Sequence, residues 1–190
     1  MGPFIVAGLG NPGARYAETR HNVGFRVVDR LCSSCRCRLR EGPGPYLQAE
    51  GMIGSDEVVL LQPQTFMNAS GSAVAEVLQR YGASLDRLLV VVDDVALPLG
   101  SLRLRPRGSD GGHNGLLSVI EHLQSDAFPR LRCGIGQDPP PPRDTLALFV
   151  LSRFEETERE PAETMILRAA DAVTAFVRHG IERTMTTYNT

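Results

Sequence analysis

Residues 4–13 read Phe4-Ile5-Val6-Ala7-Gly8-Leu9-Gly10-Asn11-Pro12-Gly13, an apolar run broken by a glycine-rich turn. The run predicts a buried strand over Phe4–Leu9. The turn fits the G-x-G-x-x-G pattern of a dinucleotide-binding unit. That unit needs a helix starting inside the turn and an acid at the end of the next strand. Here helical periodicity starts only at Val23. The acid at the right distance, Asp29, lies inside Val27-Val28-Asp29-Arg30-Leu31, a helix interior. Nicotinamide binding is therefore disfavoured, and the turn reads as one that presents the Asn11 side chain. What remains is strand, long turn, helix, the opening of an α/β fold.

Working outward, the spacing predicts helices over Val23–Cys35, Ser70–Tyr81, Asn114–Leu123 and from about Glu160 to His179. Val74, Val77, Leu78 and Tyr81 recur at helical spacing, as do Leu116, Val119, Ile120 and Leu123. Strands are expected over Tyr46–Ile53, Val58–Gln62, Leu88–Val92, Leu102–Arg105 and Leu131–Ile135. This alternation predicts a three-layer αβα fold around a central mixed, mostly parallel, twisted sheet. The 190 residues fit one domain, expected to span the whole chain. Gly42–Pro45 and Pro139–Pro142 mark loops, and neither is flanked by the composition shift of a domain linker.

Composition excludes several chemistries. All 20 basic residues are arginine, so Schiff-base lysine, pyridoxal and Walker A lysine chemistry have no residue to use. Any phosphate contact must come from guanidinium, backbone N–H or neutral groups. No apolar run approaches the roughly 18 residues that suggest a membrane span. The N-terminus enters a strand directly, so a cytoplasmic protein with no membrane partner is expected. Net charge is −2, which does not by itself suggest nucleic acid, yet residues 1–40 hold seven arginines and two acids, a local basic sector. Cys32-x-x-Cys35-x-Cys37 superficially suggests a metal motif. The fourth cysteine, Cys133, is in a distant strand, and no histidine sits at finger spacing, so reduced thiols are expected.

Four polar clusters follow predicted strands: residues 8–22, 63–71, 90–94 and 108–115. They hold two of the chain's four histidines, four asparagines and the adjacent Asp93 and Asp94. Loops at strand carboxyl ends of an open α/β sheet converge on one crevice. His21 there suits a general base if a carboxylate fixes its tautomer, and Asp93 or Asp94 would supply one. A capping Asn22 with a bystander histidine is the plain alternative. Asn11, Asn68 and Asn114 can orient a carbonyl or stabilise an oxyanion without adding charge. Ser70 reads as a helix N-cap, and with no G-x-S-x-G elbow, water is the simpler nucleophile. Arg103 and Arg105 share one strand face with Arg107 just beyond, and Arg130 and Arg132 alternate likewise. They form either a solvated face or a phosphate track. The acids from Glu155 to Glu163 suit a solvated helix start.

Taken together, GLGNPG…Y…TRHNVGF, PQTFMNASG, DDVALPLG, GSDGGHNG, RLRCGIG and the C-terminal Gly180-Ile181-Glu182-Arg183…Tyr188-Asn189 closely resemble bacterial-type peptidyl-tRNA hydrolases. The resemblance spans nearly the whole chain. It implies metal-independent, cofactor-free hydrolysis of the ester between a peptide and the terminal ribose of tRNA. It implies His21 as the base that activates water and Asp93 as its orienting carboxylate. Asn11 and Asn68 would hold the peptide and the attacked carbonyl, and Asn114 would position water or the oxyanion. Tyr16, Met67 and His113 would line the cleft. Arg103, Arg105 and Arg132 would contact the phosphates of the tRNA acceptor stem, and the chain would act as a monomer. Lysine is common in the family at the positions of Arg103, Arg105 and Leu117; the leucine leaves that third contact without a charge. A rival reading is a binding module, since some plastid relatives act in RNA splicing.

Overall fold

The computed structural model describes residues 2–189. Its strands are β1 (Phe4–Gly8), β2 (Arg40–Glu41), β3 (Tyr46–Ile53), β4 (Asp56–Pro63), β5 (Leu88–Pro98), β6 (Leu102–Arg105) and β7 (Arg130–Gly136). They form one sheet ordered β2-β3-β4-β1-β5-β7-β6. The four inner strands β4, β1, β5 and β7 run parallel, and antiparallel pairing is confined to the flanks. Inner parallel strands are covered on both faces and so read as continuous apolar runs, as in Ile5-Val6-Ala7 and Leu88 to Val92.

The helices are α1 (Val23–Cys35), α2 (Ser70–Tyr81), α3 (Asn114–Leu123), α4 (Leu146–Val150), α5 (Glu156–His179) and α6 (Ile181–Tyr188). Val6, Leu60, Leu89 and Val91 pack against α1 and α5 through Val27, Val28, Ile166 and Val173. Their neighbours Ile5, Ala7, Leu61, Leu88 and Val90 face α2 and α3 through Val74, Val77, Leu116 and Val119. The period of two along each strand thus divides the core into two halves and gives the three layers.

The glycines of the opening turn serve packing. A Cβ at Gly8 would lie 2.1 Å from the Gly24 carbonyl oxygen, and one at Gly24 would lie 2.5 Å from the Leu9 nitrogen. Helix α1 therefore abuts β1 backbone to backbone, which places its N-terminus and the preceding turn over the strand's carboxyl end. The dinucleotide-like spacing arises from this close approach.

Two predicted bounds move by about four residues or more. Strand β5 continues past Val92 to Pro98, with a register shift against β7 between Asp94 and Pro98. Gly134 and Gly136 make room for it, since a Cβ on either would lie 2.1 or 2.4 Å from the Pro98 or Val95 carbonyl oxygen. Helix α5 begins at Glu156, earlier than the expected Glu160, because Glu155 and Glu158 close a capping box. The short β2, α4 and α6 carry too little periodicity to stand out. Beyond α6, Asn189 pairs with the edge strand: its Oδ1 accepts from Leu104 N at 2.6 Å and its Nδ2 donates to Leu104 O at 3.3 Å. Among the described residues no helix is long and apolar enough to cross a membrane.

Candidate active site

The crevice forms where the residues following β1 and β4, together with Asp93 inside β5, meet the start of α3. Its floor is Asp93, whose side chain is 2% exposed. His21 Nδ1 lies 2.8 Å from Asp93 Oδ1, and His113 Nε2 lies 2.9 Å from the same oxygen. Burial opposes ionisation of Asp93, but the attraction of His113 and His21 and their hydrogen bonds outweigh it, holding the carboxyl well below the usual carboxylate range. A carboxylate only accepts hydrogen bonds, so both imidazoles donate to it. His21 therefore carries its proton on Nδ1 and leaves Nε2 as a free basic nitrogen. The second nitrogen of His113 is also engaged: Nδ1 accepts from the Gly115 and Leu116 amides at 3.2 and 3.3 Å, capping α3.

His21 sits in a single 3-10 turn, Arg20–Asn22, before α1. Asn22 makes no side-chain cap, contrary to the plain reading of it. It turns instead to Asn11, accepting from Asn11 N and donating to Asn11 O, each at 2.9 Å. That bridge fixes the Asn11 backbone. The Asn11 Oδ1 then accepts from Met67 N at 2.8 Å, which leaves the Asn11 Nδ2 group as the donor for a ligand. The capping expectation for Ser70 also fails. Ser70 is already inside α2, and its hydroxyl donates back to Met67 O at 2.9 Å. At α3 the N-cap is His113, with Asn114 the first helical residue.

Of the other residues expected to line the cleft, Met67 is buried, Tyr16 is half-buried, and Asn68 and Asn114 are exposed. Tyr16 meets the ring of Phe66 edge-on at 6.3 Å, and Phe66 is 55% exposed. Phe66 was not singled out in the sequence, where it reads as one more apolar residue. Tyr16 and Phe66 thus form an aromatic pair, with Phe66 next in sequence to Met67, whose N–H is held by Asn11.

The arginines divide into two kinds. Arg103 and Arg105 are exposed on β6, and Arg103 stands opposite Arg132 of β7. Arg132 Nε lies 3.0 Å from Asp94 Oδ2, so Asp94 serves this arginine while Asp93 serves the histidines. Arg130 departs from the alternating track: it is 2% exposed. Its guanidinium donates to the carbonyls of Phe128, Gly108, Ser109 and Asp126, holding the loop that precedes α3. Burial lowers its pKa to about 10, still above any ordinary working pH.

Only His21, Asp93 and His113 bring three metal-type donor atoms within 4.8 Å among the described residues. Both imidazole contacts to Asp93 are at hydrogen-bond length, so a metal would have to displace the two ring protons. All four cysteines are free thiols. Burial pushes Cys32 up to about 12 and raises Cys35 and Cys133 as well, which favours their protonated thiol form.

Residues 5–190 match the family model described as peptidyl-tRNA hydrolase. The chain belongs to the peptidyl-tRNA hydrolase family. A peptidyl-tRNA hydrolase from Chlorobaculum parvum is 44% identical over 185 residues, covering 97% of each chain. One from Thermoanaerobacter sp. strain X514 is 42% identical over 186 residues, covering 98% of this chain and 99% of its own. The crystal structure of the peptidyl-tRNA hydrolase from Acinetobacter baumannii superposes with a TM-score of 0.91 at 32% identity, covering 98% of this chain and 96% of that one. Family membership therefore extends over the loops that build the crevice as well as over the sheet.

Proposed function

We propose that this member of the peptidyl-tRNA hydrolase family cleaves the ester that joins a peptide, or an N-blocked aminoacyl group, to the terminal ribose of tRNA. The observation that carries the reading is His21 held by Asp93 through Nδ1, with Nε2 left basic. Nε2 takes a proton from water as the water oxygen attacks the ester carbonyl. Buried Asp93 stabilises the imidazolium that forms. The oxyanion is received by Asn11 Nδ2 and by Asn114 at the positive N-terminus of α3. The ester bond to the ribose oxygen then breaks, and the His21 imidazolium returns its proton to that oxygen.

Asn68, Tyr16 and Met67 hold the peptide, with Phe66 paired edge-on to Tyr16. His113 contributes by fixing Asp93 and the start of α3. Arg103, Arg105 and Arg132 meet the acceptor-stem phosphates. The chain works as one domain and as a monomer in the cytoplasm, recycling tRNA from stalled or dropped peptidyl-tRNA. The test is release of free tRNA from a purified N-blocked aminoacyl-tRNA in the presence of EDTA. The wild type should cleave, and His21→Ala should lose about a thousandfold. A His21→Ala protein that keeps most of its activity overturns the reading.

A further inference from the structure

Arg20 precedes His21 directly, and none of the chemistry above uses it. It is 2% exposed, and arginine is almost never fully buried without partners. Its guanidinium forks onto Glu158, with Nη1 3.0 Å from Oε1 and Nη2 2.6 Å from Oε2. Its Nε donates to Ser152 Oγ at 3.2 Å. The same group lies 4.4 Å from the ring centroid of Phe149 and 4.9 Å from that of Phe154. The backbone is tied alongside: Arg20 N donates to Ser152 O at 3.0 Å, and Thr19 bridges to Arg153.

We infer that Arg20 is a positioning residue for His21, locking the turn that carries the base onto the segment from Phe149 to Glu158. The inference rests on the reading of His21 as the base. Successive side chains in a 3-10 turn point about 120° apart. In this turn the three are anchored in three directions, Arg20 to Glu158, His21 to Asp93 and Asn22 to Asn11. Without the Arg20 side-chain anchor only the backbone contacts of Thr19 and Arg20 hold the turn to that segment, and it can pivot about the Asn22 bridge and carry His21 Nε2 away from the attacked carbonyl. Arginine suits the task because its planar fork fits one carboxylate while its faces stack on rings, which lysine cannot reproduce. Phe149 also lines a cavity of about 570 Å³ with Pro139 to Pro142 and Leu148.

The experiment compares Arg20→Gln, Arg20→Lys, Phe149→Leu and Glu158→Gln with the wild type, using N-blocked aminoacyl-tRNA well below each variant's melting temperature. Arg20→Gln should lower kcat by about 10- to 100-fold with KM within about threefold, the range for small misplacement of a reacting group. The low-field proton resonance of His21 Nδ1–H should broaden or vanish in the same variant. Arg20→Lys should recover part of kcat. Phe149→Leu should act in the same direction and combine non-additively with Arg20→Gln. If Arg20→Gln fails to fold, Phe149→Leu and Glu158→Gln carry the same test. A lower melting temperature with kcat and the Nδ1 proton unchanged assigns Arg20 a purely structural role and overturns the inference. A failure of the underlying reading is separate, since it shows as activity retained in His21→Ala with Arg20 intact.

Discussion

Asp93→Asn removes one charge while preserving the shape of the floor. The amide oxygen can still accept from His21 Nδ1 and His113 Nε2. What is lost is the attraction between the carboxylate and the imidazolium that forms as water is deprotonated. At the observed 2.8 Å separation, two unit charges in an effective dielectric of about 20 attract by roughly 6 kcal/mol. The amide dipole and relaxation recover part of that. A net loss of about 3 to 6 kcal/mol corresponds to a fall in kcat of about 10²- to 10⁴-fold. KM should stay within about threefold, because the imidazolium exists only on the way to product. Single-turnover cleavage of N-blocked aminoacyl-tRNA at saturating enzyme reads the chemical step directly. Adding His21→Ala to Asp93→Asn should cost nothing beyond His21→Ala alone, since the two groups act as a unit. A variant that keeps more than about a tenth of wild-type kcat, or a double variant whose losses multiply, refutes the paired base.

Asn11→Asp retains the acceptor for Met67 N but removes the Nδ2 donor, so kcat should fall about 10²- to 10³-fold with the melting temperature little changed; a folded variant that keeps most of its kcat would remove Nδ2 from the mechanism. Arg103→Gln with Arg105→Gln should raise KM, leave kcat unchanged and flatten the slope of log KM against log salt by about one unit per lost phosphate contact, and an unchanged slope argues for a merely solvated face. Asp93 also links stability to pH. Because His113 and His21 hold its folded pKa below the unfolded value, its contribution is fully present above the unfolded carboxylate range and is lost as pH falls toward the folded value. The stability gap between wild type and Asp93→Asn, followed by thermal melts from neutral to acid pH, should therefore shift against the wild type on acidification, and a gap that moves in its favour contradicts the assignment.

The elements with strong local periodicity were legible. The bounds of α1, α2, α3 and β6 follow from the residues themselves, since each buries one stripe or face at a fixed repeat; those of β3 were also legible, although it buries Tyr46 on one half of the core and Ala49 and Ile53 on the other. The glycine-rich turn was legible as a dinucleotide decoy because its helix begins ten residues past Gly13, at Val23. Asp93 was misplaced at a strand end, because the continuation of β5 depends on two glycines in β7 that sequence proximity does not connect to it. Arg130 was grouped with the exposed arginines because alternation predicts a face and says nothing about a loop folding over it. Arg20 gave no signal, since its partner Glu158 lies 138 residues away in a run that reads as a solvated acidic helix start.

By itself the sequence determined the α/β class, the residue types in the crevice and their order along the chain, through short-range periodicity and a joint pattern of motifs. Only the tertiary structure decided which atoms meet. His21 and Asp93 are 72 residues apart, and their 2.8 Å contact exists because Gly8 and Gly24 let α1 press onto β1 beside β5. The tertiary structure also decided that His113 engages one nitrogen in a helix cap and the other with Asp93, that Asn11 turns its oxygen toward Met67 N and leaves its Nδ2 free of a protein partner, and that Arg130, of the two arginines alternating on β7, is the structural one. The physical reason is that helix and strand periodicities are encoded over a few residues. Hydrogen-bond direction, burial and protonation are properties of partners that only the folded sheet brings together.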